Sequence, residues 1–244
     1  MKRNWRLKNI KTNDYKKDFL KVFNSFSEKY SRFTVWSDFI HASGYAISNA
    51  FDYRQEREDK YLKIMERYSK EEINKFPELL ALTTSALESN RKQDFLGQIY
   101  MESGFGNEKN GEYFTSYEIA ELMARIAETD IDDFKSKDYV AVNDCTCGSG
   151  VMLIAYANYL SESEMNHSLK LLTVANDCNS CIALMCYIQT SLLGCAGYVT
   201  IRNALTEPLT GNPIYPPDDA FLTPLFFHPV WMLRRSFDSL KEAN

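Results

Sequence analysis

Two short stretches of the 244-residue chain carry residue types suited to ligand chemistry: Asp144-Cys145-Thr146-Cys147-Gly148-Ser149-Gly150 and Asn176-Asp177-Cys178. In the first, an acidic residue, two cysteines and two glycines separate an apolar run from an apolar segment of helical length. Glycines in such a turn permit positive φ and let a ligand approach the backbone, and the helix that follows offers free N–H groups. The spacing is neither GxGxxG nor GxxxxGK[ST], which sets aside dinucleotide and triphosphate sites. In the second stretch, Asp177 ends another apolar run about thirty residues later. A carboxylate beside a glycine turn is placed to accept hydrogen bonds from both hydroxyls of a ribose. Turn and carboxylate within one strand-helix-strand unit therefore predict a nucleoside site.

The same residues suggest a second chemistry. Cys145, Cys147, Cys178 and Cys181 lie beside two strand ends that are candidate neighbours, as a zinc or iron–sulfur site would require. Their CxC and CxxC spacing lacks a knuckle context, and Cys181 opens a helical segment, so they read as small, half-buried residues near the turn and no metal site is expected. His41, His167 and His228 are scattered, with no partner for a metal or a Cys/His nucleophile, and read as surface or core histidines.

The elements that must position these residues differ between the two ends of the chain. Residues 14–103 read as helix after helix. Ser69 and Glu72 fit a capping box opening a helix through Leu87, which Pro77 kinks or interrupts. A further apolar-faced segment covers 94–101. Thr115, Ser116 and Glu118 fit the start of a helix through Ile126, after which short β-type runs at 139–142, 171–175, 198–201 and 220–227 follow, with helices at 151–160 and 181–193 between the first three. Alternation of this kind predicts right-handed crossovers and a parallel sheet, with ligands bound beyond the carboxyl ends of its strands. The expected organisation is α/β: a helical N-terminal region over 1–108 and a Rossmann-like domain over 109–244.

Composition bounds the rest. The chain is 45% hydrophobic and 25% charged, with a formal net charge of −5, which suits a globular protein and argues against one that coats nucleic acid. No run approaches the ~20 apolar residues of a membrane span, no signal-peptide core is present, and six cysteines read as thiols, so a cytoplasmic protein is expected. Residues 1–30 hold nine Lys or Arg against three acidic residues, a net of +6, leaving −11 elsewhere. The aromatics there (Tyr15, Phe19, Phe23, Phe26, Tyr30) recur at roughly helical spacing, which favours an amphipathic helix packed on the body over a nucleic-acid contact.

The order Glu112-Tyr113-Phe114-Thr115-Ser116, Asn143 through Gly150, Asn176-Asp177-Cys178-Asn179 and Arg202-Asn203-Ala204-Leu205 resembles the adenine-specific DNA methyltransferases of the N-6 DNA methylase family, in particular the methylase subunit of type I restriction-modification systems. The resemblance covers roughly residues 95–227. It implies a methyltransferase sheet, S-adenosylmethionine as cofactor, DNA as substrate, and a specificity or other partner subunit. It assigns cofactor roles to Phe114 and Thr115, with Ser116 where proline is usual; to Asp144, Cys147, Gly148, Ser149 and Gly150, with Cys145 replacing a frequent proline; to Asp177 for the ribose; and to Asn203 for the adenine ring. The catalytic half departs from the family pattern of Asn or Asp, two prolines and an aromatic after the fourth strand, where the aromatic stacks on a flipped base and polar acceptors hold the target amine. Two segments compete for that role. Asn212-Pro213-Ile214-Tyr215 keeps asparagine, proline and an aromatic, whereas Thr223-Pro224-Leu225-Phe226 has the better position after a β-type run and is favoured here. The implied activity is methyl transfer to the exocyclic amino group of adenine in DNA. The alternative is a catalytically degenerate, cofactor-binding subunit of a modification or mobile-element system.

Overall fold

The computed structural model describes residues 14–106, 113–127 and 135–242. Among the described residues the helices α1 (Tyr15–Phe23), α2 (Arg32–Asn49), α3 (Gln55–Met65), α4 (Lys70–Ile73), α5 (Lys75–Ser89), α6 (Phe95–Glu102) and α7 (Tyr117–Ala127) precede the sheet. Their boundaries follow from capping chemistry. Asp14, Ser31, Ser69 and Asp94 each accept a backbone N–H of the following turn, and Ser69 with Glu72 forms a reciprocal capping box. The helix expected from Ser69 to Leu87 is two helices broken at Asn74. Continuing α4 would have required the N–H that Pro77 lacks and brought its ring against the Ile73 carbonyl. In α5 Pro77 instead occupies the first turn, where an N–H has no intrahelical partner.

The aromatics of the basic segment face inward. Phe19 and Phe23 are buried, with the Phe19 ring 6.1 Å from Trp36 and 5.7 Å from Phe95. Packing, not base stacking, accounts for their spacing. Five of the nine basic residues of that segment, Lys2, Arg3, Arg6, Lys8 and Lys11, lie outside the described residues.

Among the described residues the sheet has the order β1 (Val140–Asp144), β2 (Leu171–Asp177), β3 (Ala196–Ile201), β4 (Phe221–Leu222). The first three strands are parallel, with Asp144 opposite Ala175 and Asp177 opposite Ile201. Between them run α8 (Val151–Glu162), the short α9 (His167–Lys170) and α10 (Ser180–Leu192). Among the described residues β1 pairs only with β2, so it forms one edge of the sheet.

The 220–227 run departs from expectation. Only Phe221 and Leu222 are extended; they pair antiparallel with β3, and Pro224–Phe227 forms a 3₁₀ turn before α11 (Pro229–Glu242). Pro224 has no N–H with which to prolong a ladder. Thr223 closes it instead: its hydroxyl accepts from the Gly197 N–H at 3.0 Å and lies 3.2 Å from the Gly197 carbonyl.

One buried cluster runs from Phe19, Trp36 and Leu96 through Ile154 and Leu184 to Val199, so the helical region and one face of the sheet share a core. The other face, at Leu172, Val174, Ala196 and Tyr198, is covered by Ile214, Ala220, Phe226 and Trp231. Arg57 on α3 reaches the second half of the chain, donating to the Ala220 carbonyl at 2.8 Å and stacking over Phe221. The expected domain boundary at 108/109 falls outside the described residues.

Candidate cofactor site

The glycine turn leaves the carboxyl end of β1 and is held from below by β2. The Cys147 N–H donates to the Asn176 carbonyl at 2.9 Å, and the Gly148 N–H donates to Asp177 Oδ2 at 3.1 Å. Asp177 Oδ1 accepts the Asn179 N–H at 2.9 Å. Each oxygen thus has one backbone donor, which leaves lone pairs for further acceptance. Gly148 and Gly150 sit at φ 56° and 96°, where L side chains are strained. At Gly150 a Cβ would also lie 2.8 Å from Cys186 Sγ. Gly150 caps α8 without a side chain, so the helix start keeps its free N–H groups.

The segment ahead of α7 folds back onto this turn. Phe114 stacks on Tyr100 of α6, with ring centroids 5.5 Å apart, and its edge lies 3.7 Å from where a Cβ on Gly148 would be. Phe114, Thr115, Asp144, Cys147, Gly148 and Ser149 share the wall of a cavity of about 720 Å³ that runs along the β1 edge, with Val140, Val142 and Tyr156 supplying apolar surface. That volume is in the range of small-molecule sites. Glu112 lies outside the described residues.

Asp144 faces this cavity, and its carboxyl is held above its ordinary range. Burial is the main cause, opposed by the Thr146 N–H at 3.2 Å and reinforced by the negative charge of Asp177. Cys147 is buried, and its thiol is pushed up by a hydrogen bond with Cys186 and by burial. Cys145 and Cys178 are exposed, and Cys181 is buried as the first turn of α10 closes over it. No group of His, Cys, Asp or Glu that could hold a metal occurs among the described residues.

The remaining expected site residues lie elsewhere. Asn203, just after β3, is exposed, and its Oδ1 accepts the Leu205 N–H. Thr223, just past β4, the strand farthest from β1, is fully buried and bonded to Gly197 of β3, Pro224 begins the 3₁₀ turn, and Phe226 is buried under the second face. Asn212 donates to Asp238 at 2.6 Å and accepts the Ile214 N–H, while the Tyr215 hydroxyl donates to the Arg235 carbonyl. Tyr215 lines a separate cavity of about 420 Å³ beneath the proline-rich loop, and none of Asn212, Tyr215, Thr223, Pro224 or Phe226 lines the larger one.

Three buried polar residues that sequence reasoning left without a role organise the site. Asn176 donates to the Cys145 and Arg202 carbonyls and accepts from Thr200, tying three strand ends together. Asp94 accepts from the Ser149 hydroxyl and from Gln189. A lone glutamine within the apolar run of α10 is the one sequence signal for that network, since a buried amide requires partners. His41 and His167 are satisfied within the fold: His41 bonds the Ser37 carbonyl and Ser180, and His167 bonds Ser161 and the Leu193 carbonyl.

The sequence model of the N-6 DNA methylase family matches residues 91–216, just over half of the chain. The chain belongs to the N-6 DNA methylase family. The matched span holds Asp94, the Phe114 segment, the glycine turn, Asp177, Asn203 and Tyr215, and stops before β4 and Thr223. Membership links the chain to adenine methylation of DNA, and its mostly parallel α/β sheet is compatible with a methyltransferase fold. No curated protein and no solved structure matches the chain significantly. No helix among the described residues is long and apolar enough to cross a membrane.

Proposed function

We propose that this member of the N-6 DNA methylase family binds S-adenosylmethionine at the glycine turn and transfers its methyl group to the exocyclic amine of adenine in DNA, as the methylase-like subunit of a type I restriction-modification kind of system. The observation that carries the reading is the joint at Gly148: the glycine and the Phe114 ring line one cavity, and the Gly148 N–H is held by the β2 carboxylate Asp177, which lies behind the turn and outside that lining. When bound, the cofactor supplies an activated methyl group. Of the chain's own residues, Asp177 retains acceptor capacity for ribose hydroxyls, Gly148 leaves the backbone open to close approach, and Phe114 and Tyr156 exclude water from the cavity wall. Asn203, which the family pattern would give to the adenine ring, is exposed after β3 and outside the lining of that cavity.

A second reading rests on a specific observation. Asn212 and Thr223 spend their polar atoms within the fold and neither lines the cavity. A chain so built holds the cofactor without placing the target amine, which makes it a degenerate subunit that depends on a partner. Calorimetric titration with S-adenosylmethionine, followed by a methyl-transfer assay on unmethylated DNA, separates the two. Binding with transfer supports the enzyme, binding without transfer supports the degenerate subunit, and no binding refutes the cofactor assignment.

A further inference from the structure

Asp94 is a buried carboxylate that no step of the proposed reaction uses. It caps α6 through the Gly97 N–H at 2.9 Å, accepts Gln189 Nε2 at 2.7 Å, and accepts a hydrogen bond from the Ser149 hydroxyl. Gln189 also donates to the Ser149 carbonyl at 2.9 Å and accepts the Leu96 N–H at 3.1 Å. Ser149 is thus gripped at its hydroxyl and its carbonyl, between Gly148, whose N–H is held by Asp177, and Gly150, whose N–H returns to the Cys147 carbonyl. Gly97 makes the approach possible: a Cβ there would lie 2.0 Å from Asp94 Oδ2 and 2.5 Å from Ser149 Oγ. Burial pushes the Asp94 carboxyl up and its three donors pull it down.

A cap alone needs one acceptor for one or two N–H groups. Here the second oxygen is spent on a residue 55 positions away in the glycine turn. We propose that Asp94 is a positioning residue of the cofactor site, which fixes the Cys147–Gly150 backbone through Ser149 and so couples the seating of α6 to cofactor affinity. The inference rests on the S-adenosylmethionine reading for its ligand, whereas its structural core concerns the turn itself.

The test uses the full chain and the variants S149A, D94A and D94N. Amide exchange of residues 147–151 is read without ligand, and S-adenosylmethionine affinity is read by calorimetry. S149A leaves the cap on Gly97 in place yet is expected to speed exchange in the turn and weaken the cofactor, each by roughly tenfold. D94A is expected to do the same and also to fray α6. D94N is expected to recover most of the wild-type behaviour, because an amide can accept from Gly97 and donate to Ser149 Oγ. If S149A leaves exchange over 147–151 unchanged while D94A merely lowers the unfolding midpoint, Asp94 is only a helix cap and the proposal falls. If wild type fails to bind S-adenosylmethionine, the ligand reading fails, and exchange in S149A still decides whether Asp94 positions the turn.

Discussion

The sharpest perturbation of the site is Asp177→Ala. The wild-type carboxylate does two things: it takes one backbone N–H on each oxygen, from Gly148 at 3.1 Å and Asn179 at 2.9 Å, and it retains lone pairs for the ribose. A hydrogen bond to a charged group contributes ~1.5–3 kcal/mol, so losing the ribose contact alone should weaken S-adenosylmethionine about 10- to 150-fold. The freed Gly148 N–H adds to the loss, because the turn no longer has its anchor on β2. Asp177→Asn keeps the shape of the side chain and removes its charge. Its carbonyl oxygen can still accept from Asn179, but an amide nitrogen in place of Oδ2 meets the Gly148 N–H donor to donor, so this variant should bind little better than alanine. Calorimetry at 25 °C measures the affinities, and urea unfolding without ligand reports how much of the loss is a loosened fold. An unchanged dissociation constant for Asp177→Ala, with the wild type binding, would refute both the ribose assignment and the anchoring of the turn.

Three further perturbations follow from the same contacts. Gly97→Ala raises helix propensity by about 1 kcal/mol yet places a Cβ 2.0 Å from Asp94 Oδ2, so its thermal midpoint should fall; a rise would show that Asp94 and Ser149 shift aside freely. Thr223→Val removes the bonds to Gly197 and should cost about 1–3 kcal/mol in urea unfolding with S-adenosylmethionine affinity unchanged; retained stability with lost methyl transfer would restore Thr223 to an acceptor role. Asp144→Asn tests the raised carboxyl of Asp144. A carboxyl raised on folding binds its proton more tightly in the native state, so the folded form is favoured below the ordinary value near 4 and loses that advantage as pH rises through the native value. Asn keeps the acceptor for Thr146 without the charge, so the variant's urea midpoint should exceed wild type at pH 7.5 and the gap should close below pH about 4; an equal gap at both values would contradict the burial argument.

What was readable in the sequence was what local pattern and spacing encode. The apolar runs of β2 and β3 and the helix between them are legible as a parallel unit because their burial is nearly complete: in α10 every residue from Cys181 through Thr190 is buried, which leaves an apolar stretch through Ile188 to read, followed by the buried Gln189 and Thr190, whereas β1, at the sheet edge, is only partly buried. The glycine turn was legible for the same reason, as positive φ at Gly148 and Gly150 has few residue choices. The misplacement of 220–227 arose where tertiary contact overrides propensity. Phenylalanine and leucine favour a strand, yet β4 stops after two residues because Thr223 bonds to Gly197, 26 positions earlier, and Pro224 cannot extend the ladder. That error bears directly on function. The sequence favours Thr223 as the acceptor because a site belongs where a parallel strand ends, but β4 runs antiparallel at the far side of β3, so the rule does not apply to it. Asp94 shows the opposite case. Its capping role is written in the local sequence, but its second oxygen serves Ser149 across the fold, and a contact between residues 55 positions apart has no local signature. The residues that bind a ligand announce themselves by type and spacing, whereas those that hold them in place, Asn176, Gln189 and Asp94, are polar residues in apolar surroundings whose partners only the fold supplies.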